Sequence, residues 1–394
     1  MTKQILLSTL PTWNITNKRV FLRADLNVPL QAGIILDDYR LRALLPTINL
    51  IQKNGGKIIL ATHIGRPKNR EPNLSTRHLI PWFTNEGYAI DFEPTLSAAT
   101  EKSHIDQNRI LLLENLRFFP EEKSSDLHFA QQLATLGDYY VNDAFATLHR
   151  NDTSITLLPT LYPDSHRTIG LLVEHELKAL NTLLYNHTKP FVFILGGGKV
   201  SDKIPLLHGM LDAIDTLLLC PAIVFSFLKA QKKSVGNSLV ADSDLSACEE
   251  ILTMAQDKNI KVYFPQDYQI AQGSFNGALS FIDSDTIPTN DVGISIGPKT
   301  IATYSKEIHT AGTIFYNGLM GSMQRKETTT GSQAIFNAMA QSNGFSVIGG
   351  GDSIAAVYAS NLQSSIDFLS TGGGATITYL AQHDLPGLYC FLKK

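Results

Sequence analysis

Strand-like and helix-like segments alternate along almost all of the 394-residue chain, and no other feature restricts its fold as strongly. In the first half, strands are expected at Arg19–Ala24, Lys57–Thr62, Tyr88–Phe92, Arg109–Glu114 and Asp138–Asn142. Longer segments of helical period, such as Tyr39–Lys53 and Asp126–Thr135, lie between them. The second half repeats the pattern, with strands expected at Phe191–Leu195, Thr216–Cys220, Lys261–Phe264, Ala278–Ile282, Thr313–Tyr316, Phe345–Ile348 and Ile366–Leu369. Such alternation builds βαβ units around a parallel sheet. The expected fold class is therefore α/β, with parallel sheets flanked by helices. The length exceeds what one hydrophobic core usually organises, so two domains are expected. The helical stretch Leu171–Tyr185, between the two series of strands, is expected to connect them.

In open α/β sheets ligands bind beyond the carboxyl ends of the strands. In the first half those ends carry cations. One strand runs into RADLNVP with Arg23, Asp25 and Asn27; another into THIGRP with His63 and Arg66. A third runs into ENLRFF with Arg117, and the last into NDAFATLHR with His149 and Arg150, while Arg40 opens the helical segment after the first loop. Guanidinium groups match phosphate and carboxylate through paired hydrogen bonds. Any one of these arginines also reads as a surface residue paired with a nearby acid; their recurrence at separate strand ends points to a site for a small polyanion. The two histidines lack the spacing of a metal site.

In the second half the strand ends carry glycine. The segment FVFILGGGKVSDK, Phe191–Lys203, is a strand running into a glycine turn, with Lys199 and Lys203 four residues apart on one helix face. Backbone N–H groups at such a turn, together with a helix N-terminus, suit anionic oxygen. The segment lacks the GxxxxGK[ST] pattern and, alone, reads equally as a tight turn with two solvated lysines. Further turns follow at FYNG, VIGGGDS and STGGGAT, giving glycine triplets at 196–198, 349–351 and 372–374. Asp352 is placed either to hold Mg²⁺ beside a nucleotide phosphate or to cap the helix that follows.

Composition narrows the alternatives. Net charge is −3, which gives no case for nucleic-acid or membrane binding. Cys220, Cys248 and Cys390 form no disulfide framework and no CxxC pair, as expected in a reducing compartment. No convincing signal peptide opens the chain, and no apolar run reaches the ~18 residues a membrane helix needs, so a cytoplasmic location is expected. A nucleotide-dependent dehydrogenase is disfavoured: no GxGxxG opens a βαβ unit with an acid about 20 residues further on.

Taken together, KRVFLRADLNVP, THIGRP, LLLENLRFFPEE, YVNDAFATLHR, GLLVEHEL, ILGGGKVSDKI, VIGGGDS and STGGGA resemble the motifs of phosphoglycerate kinases, in the same order and over nearly the whole chain. The resemblance implies two Rossmann-like domains joined by a helix and a hinge. Residues 1–170 would bind 3-phosphoglycerate, 171–186 form the interdomain helix, 187–379 bind nucleotide, and 380–394 return to the first domain. It implies reversible phosphoryl transfer from 1,3-bisphosphoglycerate to ADP, giving 3-phosphoglycerate and MgATP, in glycolysis and gluconeogenesis, by a monomer. By similarity, Asp25, Asn27, Arg40, His63, Arg66, Arg117 and Arg150 bind the phosphoglycerate. Lys203, Gly293, Gln324, Gly350, Gly351, Asp352 and Ser353 fall on the nucleotide side, with Asp352 holding the metal. Arg40, Lys199, Lys203, Gly372 and Gly373 resemble the groups that stabilise the transferring phosphoryl. The same resemblance places the face bearing Lys199 and Lys203 across a cleft from Arg40.

The departures from the family pattern cluster on the nucleotide side. Leu319 and Gln324 stand where the family has Pro and Glu in NGPxGxFE. Cys220-Pro221-Ala222-Ile223-Val224 replaces the glycine-rich GGxMA segment, and Ser295 replaces the usual Asp before GP. On the substrate side the changes are milder: Ala146 replaces a Gly and Leu148 a small residue. They leave open a second reading, a catalytically weak relative with a non-enzymatic binding role.

Overall fold

Successive residues of β1 (Arg19–Ala24) point to opposite faces of a sheet and are buried on both. Val20, Leu22 and Ala24 join one hydrophobic core, with Ile58, Leu60, Ile110 and Leu112. Phe21 joins the other, with Ile59, Ala61, Leu111 and Leu113. A strand covered on both sides has to be apolar throughout, which is why these segments read as continuous hydrophobic runs. The helix Tyr39–Lys53 closes the first face through Leu41, Leu44, Ile48 and Ile51, spaced three or four apart. Leu127–Ala134 closes the second through Phe129, Ala130 and Leu133. Each buried Val, Leu, Ile or Phe side chain among these contributes roughly 1.5–3 kcal/mol relative to leaving it in water.

The structure, a computed structural model, describes residues 8–104, 109–198, 200–240 and 242–392. By its packing the chain divides into two units, one running to Lys178 and taking in the segment from Asp384 onward, the other comprising Ala179–His383. The division falls inside the helix Leu171–Tyr185.

In the first unit, β1 is followed by a small hairpin of β2 (Leu30–Gln31) and β3 (Ile34–Ile35), then by β4 (Lys57–Ala61), β5 (Ile90–Glu93), β6 (Ile110–Leu113), β7 (Tyr139–Asp143) and β8 (Arg167–Ile169). The six long-range strands form one parallel sheet in the order β5-β6-β4-β1-β7-β8. The carboxyl ends of β6, β4, β1 and β7 thus lie side by side. The segment from Asp384 packs on this unit: Gly387 N–H donates to the Leu148 carbonyl at 2.9 Å, and Phe391 stacks on Tyr140.

The second unit holds β9 (Phe191–Gly197), β10 (Thr216–Ala222), β11 (Lys261–Tyr263), β12 (Tyr268–Gln272), β13 (Leu279–Ile282), β14 (Asp291–Ile296), β15 (Thr313–Asn317), β16 (Phe345–Gly349) and β17 (Phe368–Ser370). Six of them make a parallel sheet in the order β11-β10-β9-β15-β16-β17. This is the doubly wound order, whose direction of winding reverses between β9 and β15. Ligand crevices in such sheets open at that reversal.

Four strands, besides the small β2–β3 hairpin, depart from the expected pattern. The expected strand Ala278–Ile282 lies outside the parallel sheet, in an antiparallel trio β13-β12-β14. Its partners β12 and β14 carry Gln269 and Gly293 inside short runs, which breaks the apolar continuity that marks buried strands. β8 is only three residues long and follows irregular turns. Other strand ends move by one or two residues. Among the described residues, no helix is long and apolar enough to cross a membrane.

Candidate active site

The chain turns sharply after each central strand of the first unit, and side chains from these turns hold one another. Asn27, beyond β1, accepts a hydrogen bond at 2.8 Å from the N–H of Gly65, in the turn after β4. Leu26 N–H donates to Thr62 Oγ1 at 2.9 Å, a second tie between the same two strand ends. Arg117, beyond β6, donates through Nη1 to the Gly65 carbonyl at 2.6 Å. Arg40, in the first turn of Tyr39–Lys53, pairs through Nη1 with Asp25. Asn27, Gly65 and Arg117 therefore form one network, and Asp25 and Arg40 a pair beside it.

The electrostatics show which groups gather. Burial, followed by the charges of Arg23, Arg117, Arg150 and Arg40, holds the His63 imidazole well below its ordinary range. A buried imidazole surrounded by four guanidinium groups stays neutral. Burial, and then the neighbouring Arg150, draws Arg117 down to about 10. Arg40 is lowered by burial, which the charge of Glu176 opposes. His149 is lowered by burial and then by Arg150. Arg117 Nε and Nη2, together with His149 Nδ1, are buried without a hydrogen-bond partner. Leaving a buried guanidinium N–H without an acceptor costs about 1–3 kcal/mol, so the Arg117 Nε and Nη2 edge favours an acceptor. Asp152 lies 3.9 Å from Arg117 Nη2, and Glu122 is a second acid that acts on this guanidinium. Arg66 is exposed.

On the second unit, the ends of β9, β15 and β16 meet where the strand order reverses. Lys203, almost fully buried, donates through Nζ to the carbonyl of Gly196 at the end of β9. Gly318, just past β15, has φ +99° and lies against Gly196 and the Lys203 ammonium, where any side chain would collide. Asn317 Nδ2 donates to the Gly349 carbonyl at 3.2 Å, tying β15 to β16. Gly350, with φ +95°, is the N-cap of the helix Gly351–Ala359. That position excludes Asp352 as the cap; Asp352 lies in the first helical turn and is exposed. Ser353 is buried, with Oγ unpartnered.

Gly373 caps a second helix, Gly374–Gln382, and Gly372 N–H donates to Ser370 Oγ at 3.3 Å. Gly293 sits in β14, where its lack of a side chain admits the ring of Phe225. Gln324 is exposed, and its N–H donates to Ser322 Oγ at 3.2 Å. Lys199 lies outside the described residues. No group of three or more His, Cys, Asp or Glu side chains able to hold a metal occurs among the described residues.

The family model for phosphoglycerate kinase matches residues 10–383. The chain belongs to the phosphoglycerate kinase family. A phosphoglycerate kinase of Prosthecochloris aestuarii is 39% identical over 96% of this chain and 98% of that protein. One of Chlorobium phaeobacteroides is 40% identical over 94% of this chain and 95% of its own length. Among solved structures, the phosphoglycerate kinase of Coxiella burnetii matches with a TM-score of 0.86 at 32% identity, covering 98% of each chain. That of Pyrococcus horikoshii matches with a TM-score of 0.84 at 28% identity, also over 98% of each.

Within this phosphoglycerate kinase fold the unusual residues Cys220, Leu319 and Ser295 of the second unit are packed, whereas Gln324 is exposed. Cys220 is wholly buried, and burial pushes its thiol above the ordinary range. Leu319 is nearly so, and Ser295 is buried against Gly331 with Oγ unpartnered. The motifs themselves did not reveal Glu122 and Ser154. Both are fully buried and reach Arg23 from behind the strand ends, and the acidic pair Glu121-Glu122 after ENLRFFP was the only signal for either.

Proposed function

We propose that this chain catalyses reversible phosphoryl transfer between 1,3-bisphosphoglycerate and ADP, the carboxyl group of 3-phosphoglycerate being the acceptor in the reverse direction. The carrying observation is that Arg117 Nε and Nη2 are buried without a hydrogen-bond partner, among His63, Arg150 and Arg40. Such donors ask for a small anion. On this reading Asp25, Asn27, Arg40, His63, Arg66, Arg117 and Arg150 hold the phosphoglycerate. Lys203, Gly293, Gln324 and the run Gly350–Ser353 hold the nucleotide.

The chemistry asks little of acids and bases. In the ATP-forming direction the nucleophile is already an ADP oxygen; in reverse it is a carboxylate, ionised at neutral pH. Transfer then rests on alignment and on stabilising the charge that spreads over the phosphoryl oxygens. Arg40, Lys199, Lys203 and the helix start at Gly372–Gly374 are the groups proposed to do so. Asp352, a single exposed carboxylate in a helix's first turn, fits Mg²⁺, which takes one or two carboxylates and completes its shell with phosphate and water. When bound, the ion neutralises charge on the nucleotide phosphates. The reading also entails a hinge movement that brings the two ligands in line, and a monomeric, cytoplasmic protein.

The altered residues Cys220-Pro221-Ala222, Leu319, Gln324 and Ser295 favour a second reading, a relative that binds phosphoglycerate with little turnover. Calorimetric titration with 3-phosphoglycerate and, separately, with MgADP tests the assignment of the two faces. Saturable heat is expected from each. No heat from 3-phosphoglycerate at millimolar concentration would contradict the first-unit assignment.

A further inference from the structure

Behind the cationic face lies a buried group of side chains that does not reach solvent. Arg23, Glu122 and Ser154 are fully buried and His63 nearly so. Ser154 Oγ accepts from Arg23 Nε at 2.7 Å and donates to Glu122 Oε1 at 2.5 Å. Ser154 N–H donates to Glu122 Oε2 at 3.0 Å. Arg23 Nη1 donates to the Ala24 carbonyl at 2.6 Å, and Nη2 lies 3.8 Å from Glu122 Oε1. The same Nη2 lies 3.4 Å from His63 Nδ1. A guanidinium carries donors only. Its approach to Nδ1 is favourable only when that nitrogen presents a lone pair, which in a neutral imidazole leaves the proton on Nε2.

We propose that Glu122 and Ser154 are positioning residues that hold the Arg23 guanidinium against His63, and so fix His63 as the neutral tautomer with Nδ1 accepting and Nε2 carrying the proton. A substrate acceptor then always meets an N–H from this ring and never a lone pair. The proposal deepens the phosphoglycerate reading and rests on it for the identity of that acceptor. The charged groups around the ring agree with it. Arg23, Arg117, Arg150 and Arg40 all oppose a second proton on His63. Glu122 faces Arg23 as its acid where water does not reach; burial raises its carboxyl to about 7 against the downward pull of Arg23 and Ser154, and Asp152 is the other acid nearby.

The test is long-range ¹H–¹⁵N NMR on the ¹⁵N-labelled full chain, with the His63 signals identified by their loss in His63→Gln. The unsubstituted protein should show an unprotonated Nδ1 and a protonated Nε2 that do not titrate between about pH 5 and 8, since the ordinary midpoint is about 6.5. In Glu122→Gln and Ser154→Ala the two nitrogens should move toward an averaged, titrating pattern. KM for 3-phosphoglycerate should rise about tenfold, while KM for nucleotide stays within about twofold. Ser154→Ala keeps the backbone N–H to Glu122 and so covers the case in which Glu122→Gln fails to fold. A protonated Nδ1, or an ordinary His63 titration in the unsubstituted protein, would overturn the proposal without any variant. So would unchanged His63 signals in both variants. The NMR pattern is read without turnover, so it stands or falls separately from the phosphoryl-transfer reading.

Discussion

Arg117 donates to the carbonyl of Gly65 at 2.6 Å and in doing so joins the turn after β6 to the turn after β4. The bond uses Nη1, and the buried Nε and Nη2 edge is left without a hydrogen-bond partner, with Asp152 3.9 Å from Nη2. Two variants separate these roles. Arg117→Ala removes the tie and both free donors. Hydrogen bonds to charged groups contribute about 1.5–3 kcal/mol, so KM for 3-phosphoglycerate should rise about 10- to 100-fold. Arg117→Lys keeps the charge but not the fork and should recover only part of that loss. Steady-state kinetics with each substrate varied in turn checks both.

Asp152 places a negative charge 3.9 Å from Arg117 Nη2. It neutralises part of the field that would draw an anion, and its Oδ2 is buried without a hydrogen bond. Asp152→Asn removes that charge at nearly constant volume. KM for 3-phosphoglycerate should fall a few-fold, while thermal unfolding shifts downward because Arg117 loses its nearest acid. An unchanged or raised KM would show that the pair orients Arg117 more than it screens it.

A different buried acid governs how stability varies with pH. Asp143, at the end of β7, accepts from Val173 N–H at 3.1 Å, and Thr47 Oγ1 accepts from Leu171 N–H at 3.0 Å. Together they cap the start of the helix Leu171–Tyr185, and Gly170 allows the close approach because a side chain there would run into the carboxylate. Burial raises Asp143 from the ordinary 3.8 to about 7. A group raised in the folded state binds more protons there than in the unfolded chain between those two values. Its contribution to stability is thus full below about pH 4 and is lost as pH rises through about 7. Asp143→Asn should flatten the change in stability over that window, by a few kcal/mol at most. Urea unfolding of both proteins at several pH values measures the difference.

Gln324 is exposed beyond β15 and stands where the phosphoglycerate kinase pattern has Glu; on the proposed nucleotide reading it accepts from the ribose. Its amide oxygen accepts a hydrogen bond without the assistance of charge. Gln324→Glu should therefore tighten ADP binding by about three- to tenfold, read by titration calorimetry, and leave 3-phosphoglycerate binding as it was. Unchanged ADP affinity would show that the ribose is held elsewhere.

Much of this architecture was legible in the residues. Tyr39–Lys53 and Leu171–Tyr185 have the expected bounds because each buries an apolar stripe with helical spacing. Arg117 and His63 were found as strand-end groups, and the structure gathers them because β6 and β4 are neighbours. The support behind them was not legible. Ser154 reaches Arg23 across 131 residues and Glu122 across 32, and both lie in short turns without a periodic signal. The antiparallel trio was hidden for a related reason: Gln269 and Gly293 serve contacts specific to their sites, Gln269 donating to the Glu327 carbonyl and Gly293 admitting Phe225. Asp352 was open between metal ligand and helix cap, and only the backbone at Gly350 decided against the cap.

The most direct measurement is turnover by the purified chain with ADP, Mg²⁺ and 1,3-bisphosphoglycerate generated in situ, following ATP in a coupled assay and repeating it in reverse from 3-phosphoglycerate and ATP. The expected result is magnesium-dependent, saturable turnover in both directions, abolished or reduced at least 100-fold in Lys203→Ala and in Arg40→Ala. Turnover indistinguishable from background in both directions, with 3-phosphoglycerate still bound, would contradict the phosphoryl-transfer account and leave the binding role in its place.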